Sequence, residues 1–148
     1  MPELKVGQMS IDFETVDQDS NKVRLSDLRG KTVVLYFYPK DNTPGCTAEA
    51  CSFRDDSSDL EKAGVKVLGI SADGVKSHKR FEQKYGLNFT LLADASKEII
   101  ERYGAKGKFG TARRVTYLID SGNHCPEIYW LYRGIDFAGG TDDHPTFQ

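Results

Sequence analysis

The chain has 148 residues, 39% hydrophobic and 28% charged, a balance that suits one globular domain with one core. Its net charge of −2 argues against nucleic acid as a main partner. No apolar run approaches the roughly 20 residues of a membrane span, and Met1-Pro-Glu-Leu-Lys-Val-Gly-Gln8 has neither an apolar signal core nor an Arg-rich transit character, so no membrane partner and a cytoplasmic location are expected.

Residues 11–16, Ile-Asp-Phe-Glu-Thr-Val, alternate apolar and polar and read as a half-buried strand. A polar turn over 17–21 leads to a possible return arm at Lys22 to Leu25, which would make an N-terminal β-hairpin. Residues 26–30 read as a short loop. Thr32-Val-Val-Leu-Tyr-Phe-Tyr38 is an apolar, β-rich run and predicts a fully buried strand. Pro39 stops it, having no N–H for the ladder. A helix is expected from about Pro44 to Ala63, with Gly64 as its stop. Val65 to Ile70 predicts the next buried strand. Asp73 is placed to cap a helix from Gly74 to Tyr85, whose Val75, His78, Phe81 and Tyr85 share one face. His78 reads there as a packed structural histidine.

Phe89 to Leu92 predicts a short strand, and Ser96 is placed to cap a helix over 97–103, closed by Gly104. Strands follow at Val115 to Ile119 and at Ile128 to Tyr132. Strands alternating with helices imply an α/β fold whose sheet is covered on both faces. The segment from Arg133 to Gln148 shows no helical period, and its glycines and Pro145 oppose one.

The three cysteines are Cys46, Cys51 and Cys125. An odd count in a reducing compartment argues against a structural disulfide framework. Catalysis, metal binding and inert thiols remain. Cys46 follows the turn Thr43-Pro-Gly45 and falls where the helix begins. A cysteine there sees unpaired N–H groups and the positive end of the helix dipole, and both favour the nucleophilic thiolate. Cys46 and Cys51 would point about 140° apart around the helix. That spacing does not suit zinc, so no metal and no cofactor are expected, even with His124 and Cys125 in view. Arg113 and Arg114 are adjacent, so on a strand they face opposite sides, and one alone can reach Cys46.

Several stretches together resemble the peroxiredoxin family, in particular its peroxiredoxin Q or bacterioferritin comigratory protein group. They are residues 25–31, residues 36–55 with Pro39-Lys-Asp-Asn-Thr-Pro-Gly-Cys-Thr-Ala-Glu-Ala-Cys51, residues 69–73, residues 89–94, and Arg114-Val-Thr-Tyr-Leu-Ile-Asp120. The resemblance implies a thioredoxin-like α/β fold, with a central mixed sheet flanked by helices. It implies reduction of hydrogen peroxide and organic hydroperoxides by a thiol. By position, Cys46 looks like the peroxidatic cysteine and Cys51 like the resolving one. Pro39, Thr43 and Arg114 match the family's active-site residues, and Glu49 matches a carboxylate that orients the arginine. Thr43 also fits a plain turn-starter, and Glu49 also fits a simple complement to the helix N-terminus.

The resemblance further implies a Cys46–Cys51 disulfide reduced by thioredoxin or a similar dithiol, in a monomer or weak dimer. Residues from about 121 onward lie outside it. A second class of function stays open: a thiol redox sensor, or a holdase-like binding protein on the same fold. The full set Pro39, Thr43, Cys46 and Arg114 favours the enzyme. A general disulfide oxidoreductase fits less well, because that role usually shows Cys-x-x-Cys.

Overall fold

In the computed structural model, residues 7–108 and 110–121 are described, together with the backbone of 127–129. Seven strands form one sheet: β1 (Glu14–Val16), β2 (Lys22–Arg24), β3 (Thr32–Phe37), β4 (Val65–Ser71), β5 (Thr90–Ala93), β6 (Val115–Ile119) and β7 (Glu127–Tyr129). Their order is β2-β1-β5-β4-β3-β6-β7. The pairs β3–β4 and β4–β5 are parallel, and the other neighbours are antiparallel, so the sheet is mixed. The helices are α1 (Pro44–Lys62), α2 (Val75–Tyr85) and α3 (Glu98–Arg102).

β3 sits centrally, and its alternation feeds two cores. Val33, Leu35 and Phe37 pack on one face with Phe13, Tyr103 and Tyr117. Val34 and Tyr36 pack on the other with Ala50 and Phe53 of α1 and Phe81 of α2. Successive side chains of a strand point to opposite faces, so an unbroken apolar run is what a strand covered on both sides requires. The expected N-terminal hairpin is present, with Thr15 opposite Val23.

Some local expectations give way to stronger partners. Residues 11–13 do not extend β1, because the Tyr103 hydroxyl donates to the Ile11 carbonyl at 2.5 Å and accepts from the Ile11 N–H at 3.0 Å. The loop expected at 26–30 begins as a 3-10 turn over Leu25–Leu28. Asp73 does not cap α2, whose N-cap is Gly74. Its Oδ2 instead accepts from the Asp41 N–H at 2.9 Å and from the Ser71 hydroxyl at 2.7 Å. At α3 the N-cap is Lys97, at φ 65. The Asp94 carboxylate accepts the N–H groups of Ile99 and Ile100 at 3.3 and 2.8 Å, and Ser96 takes only a 3.4 Å bond from Glu98. Gly86 ends α2 in the left-handed region at φ 61, as expected.

Among the described residues no helix is long and apolar enough to cross a membrane. The strand expected at 128–132 is described as Glu127–Tyr129. His124, Cys125 and the segment from 133 onward lie outside the described residues.

Candidate active site

β3 delivers the chain to Tyr38 and Pro39, a corner follows at Lys40–Thr43, and α1 leaves from Pro44. Pro44 is a good first helical residue, since its missing N–H has no helical partner to lose. Cys46 is the third residue of α1 and is only 1% exposed. Its own N–H has no acceptor within the helix. Thr43 is the N-cap residue, but its hydroxyl makes no cap bond. It donates to the Lys40 carbonyl at 2.9 Å, which ties the corner to itself.

Arg114 arrives from the sheet just before β6. Its Nη2 stands 3.3 Å from Cys46 Sγ, and its Nη1 donates to Glu49 Oε1 at 2.6 Å. Arg113 faces the other way and donates to the Gly104 carbonyl at 2.8 Å. The two arginines face opposite sides, as expected, although both lie just before β6 rather than within it. Glu49 lies one turn after Cys46 and is buried, with its Oε1 on Arg114 Nη1. Its Oε2 has no hydrogen-bond partner among the described residues. Burial pushes the Glu49 carboxyl up to about 8, against the pull of Arg114. Burial also acts to lower Arg114, but Glu49 and Cys46 outweigh it and leave the guanidinium raised.

Gly45 makes the close approach possible. A Cβ there would lie 3.1 Å from Arg114 Nη2. Beneath the site Tyr36 stacks on Phe53 at 4.6 Å, and Gly69 gives that ring room: a Cβ on Gly69 would fall 2.8 Å from it. Cys51 is half-buried further along α1, while Cys46 is buried. Pro39 is half-buried beside the corner.

The structure therefore brings Cys46 and Glu49 each into contact with Arg114. Thr43 closes the corner just ahead of Cys46, Pro39 precedes the corner, and Cys51 stands apart on the same helix. Sequence reasoning missed Gly45, whose role shows only once Arg114 is placed against it. It also missed Asp41, which lies inside the Pro39–Cys51 stretch. Asp41, Asp73 and His78 bring one possible ligand atom each within 4.8 Å of one another. Those atoms are already engaged by each other and by Ser71 and Ser77, which does not suit a metal.

A buried cysteine at a helix start, faced by an arginine on a thioredoxin-like sheet, is the arrangement of a thiol peroxidase. The chain belongs to the AhpC/TSA family, whose model matches residues 6–124. A putative peroxiredoxin bcp of Coxiella burnetii is 52% identical over 124 residues, covering 79% of this chain and 82% of that protein. Peroxiredoxin Bcp of Escherichia coli K12 is 40% identical over 136 residues, 87% of each chain. The crystal structure of peroxidoxin BcpB from Mycobacterium tuberculosis superposes with a TM-score of 0.85 at 33% identity, covering 93% of this chain and 94% of that one. Membership makes the chain a peroxiredoxin, a thiol-dependent peroxidase, with a peroxide as substrate and a thiol as reductant.

Proposed function

We propose that this enzyme reduces hydrogen peroxide and organic hydroperoxides through Cys46, with Cys51 as the resolving thiol. The Arg114 guanidinium, 3.3 Å from Cys46 Sγ and held at its other arm by Glu49, is the observation that carries this reading. The Cys46 thiolate attacks one peroxide oxygen, and the O–O bond breaks. The other oxygen leaves with the electron pair as hydroxide or alkoxide and takes up a proton. Arg114 stabilises the charge developing on the peroxide, with donors that are fixed and never deprotonated. The Thr43 hydroxyl, oriented by the Lys40 carbonyl, keeps lone pairs free to accept from the peroxide. Pro39 shields the site from water.

The product is a sulfenic acid on Cys46. The Cys51 thiol displaces its oxygen as water and leaves a Cys46–Cys51 disulfide. A dithiol of the thioredoxin type reduces that bond and is itself oxidised. We read the protein as one domain over residues 1–148, acting in the cytoplasm as a monomer or weak dimer. The sensor or holdase alternative has no observation of its own among the described residues.

The test is peroxide consumption with a thioredoxin-type reductant, together with mass mapping of the disulfide after anaerobic titration with peroxide. Cys46→Ser is expected to abolish turnover and keep the fold. Retention of more than a few per cent of the rate would remove Cys46 from its role.

A further inference from the structure

We propose that His78 is a positioning residue for the peroxide reaction: its ring, wedged between Asp41 and the Leu92 carbonyl, clamps the Lys40–Thr43 corner and so fixes the Thr43 hydroxyl. The inference rests on the roles proposed above for Cys46 and Thr43.

The corner has little to hold it by itself. β3 ends at Phe37, and Asn42 is in the left-handed region at φ 60. Its attachments run mainly to α2 and to the residues just before it. The Asp41 N–H donates to Asp73 Oδ2 at 2.9 Å. The Asp41 carboxylate accepts from the Tyr38 hydroxyl at 2.6 Å and from the Ser77 hydroxyl at 2.8 Å, and its Oδ2 lies 2.7 Å from His78 Nδ1. Asn42 Oδ1 accepts from the Tyr85 hydroxyl at 2.9 Å and from Lys84 at 3.2 Å.

His78 is the rigid member of this set. The ring is fully buried. Its Nε2 lies 2.9 Å from the Leu92 carbonyl, which only accepts, so Nε2 carries a proton. Its Nδ1 faces the Asp41 carboxylate. With a partner on each side the ring has no freedom to turn, and β5 and α2 together hold Asp41 still. Lys79, the next residue, faces away toward Asp19 and Glu82. Lys40 precedes Asp41 in the chain, and the Lys40 carbonyl sets the direction of the Thr43 hydroxyl. A packed histidine that only fastened α2 to the sheet would need no acidic partner on the active-site corner. Here the corner itself is what His78 grips.

The experiment compares two reactions of the same thiol. Oxidation of Cys46 by hydrogen peroxide needs Thr43 in place, and alkylation of Cys46 by iodoacetamide does not. His78→Leu is expected to slow the peroxide reaction about tenfold or more, the scale of a small misplacement at a reacting centre. Alkylation should stay within about twofold. Ser77→Ala, a milder change at a half-buried site, should move the peroxide rate in the same direction by about twofold, and it keeps the test open if His78→Leu does not fold. In a Thr43→Val background, where the hydroxyl is gone, His78→Leu should add less than about twofold, because residues acting through one group are not additive.

An unchanged peroxide rate in both single variants would overturn the proposal. So would equal slowing of oxidation and alkylation, or effects of His78→Leu and Thr43→Val that multiply. A Cys46→Ser protein that still turns over peroxide, or Thr43→Val at full speed, takes down the site assignment and the clamp with it. A slow Thr43→Val beside a fast His78→Leu takes down the clamp alone.

Discussion

Arg114 and Cys46 are 68 positions apart in sequence, yet Nη2 and Sγ stand 3.3 Å apart. The contact joins two elements: α1 carries the sulfur, and the residue just before β6 carries the cation. Because β6 pairs with β3, the strand that leads into the Cys46 corner, the two groups are fixed by the same sheet. Arg114→Ala should slow oxidation of Cys46 by peroxide about 10²-fold or more, the scale for losing a donor at a developing oxyanion. Arg114→Lys should recover only part of this, since lysine lacks the planar fork that holds Glu49 and faces the sulfur at once. Arg113→Ala loses a bond to the Gly104 carbonyl and should leave the rate within about twofold, inside the range of a surface change. Stopped-flow thiol loss reads all three, and a larger effect at Arg113 would contradict the observed register.

Gly45 tests the same contact from the other side. The arm of Arg114 nearest Gly45 is held by Cys46 and the other arm by Glu49, so a methyl group 3.1 Å from Nη2 has to displace it. Alanine is the better helix former, so Gly45→Ala should not lower the unfolding midpoint. It should nevertheless slow peroxide oxidation about tenfold, as a small displacement at a reacting centre can. Equal rates for Gly45→Ala and wild type would show that the guanidinium yields without cost.

Glu49 makes a prediction about pH. Its carboxyl is raised to about 8 by burial, above the roughly 4.3 of an unfolded chain. Between those values the folded state binds the extra proton, so stability is fully present below the unfolded value and falls as pH rises toward 8. Glu49→Gln cannot titrate and should flatten that fall. Urea midpoints for both proteins, measured from about pH 5 to about pH 9, give the comparison across that window. The 2.6 Å contact with Arg114 pulls the opposite way. If the gap between wild type and Glu49→Gln stays constant across that window, the guanidinium wins and the carboxylate is ionised throughout.

Much of this site was legible because its chemistry is concentrated in one stretch. Pro39 to Cys51 carries the strand stop, the turn, the helix start and both thiols, and local rules place each of them. The two-residue period of a strand implied that only one of Arg113 and Arg114 can reach Cys46, and the choice of Arg114 came from its place before Val115-Thr-Tyr117 and from the resemblance. Other parts were not legible, since they depend on partners distant in sequence. Asp73 looks like a cap for α2, but Asp41 arrives from 32 positions away and supplies a better donor. Ile11 looks like a strand residue until the Tyr103 hydroxyl takes both of its backbone groups. His78 shows its apolar helix face in the sequence, and nothing in that pattern announces Asp41 at 2.7 Å.

The last prediction concerns how far α1 must open. Cys46 and Cys51 lie on one continuous helix, Pro44–Lys62. A rise of 1.5 Å per residue and a radius near 2.3 Å put their Cα atoms about 8.6 Å apart. A disulfide needs less than roughly 7 Å between Cα atoms, with the Cβ atoms near 3.8 Å. The proposed Cys46–Cys51 bond therefore requires the first turns of α1 to unwind. Thr47, Ala48 and Ser52 are partly or fully exposed and have little to lose, whereas Ala50, which its small side chain suggests is equally easy to free, is fully buried against the core and gives up only a methyl group. Phe53 is different: it is fully buried, and Tyr36 stacks on it at 4.6 Å. Opening should stop there, because pulling out a buried phenylalanine costs about 3 kcal/mol or more on the scale of core truncations. Amide exchange of the oxidised protein should be fast over residues 45–52 and remain protected from Phe53 onward. Phe53→Ala should let the fast region spread toward Lys62 in the oxidised form. Formation of the Cys46–Cys51 bond with unchanged exchange over 45–52 would contradict this account of the cycle.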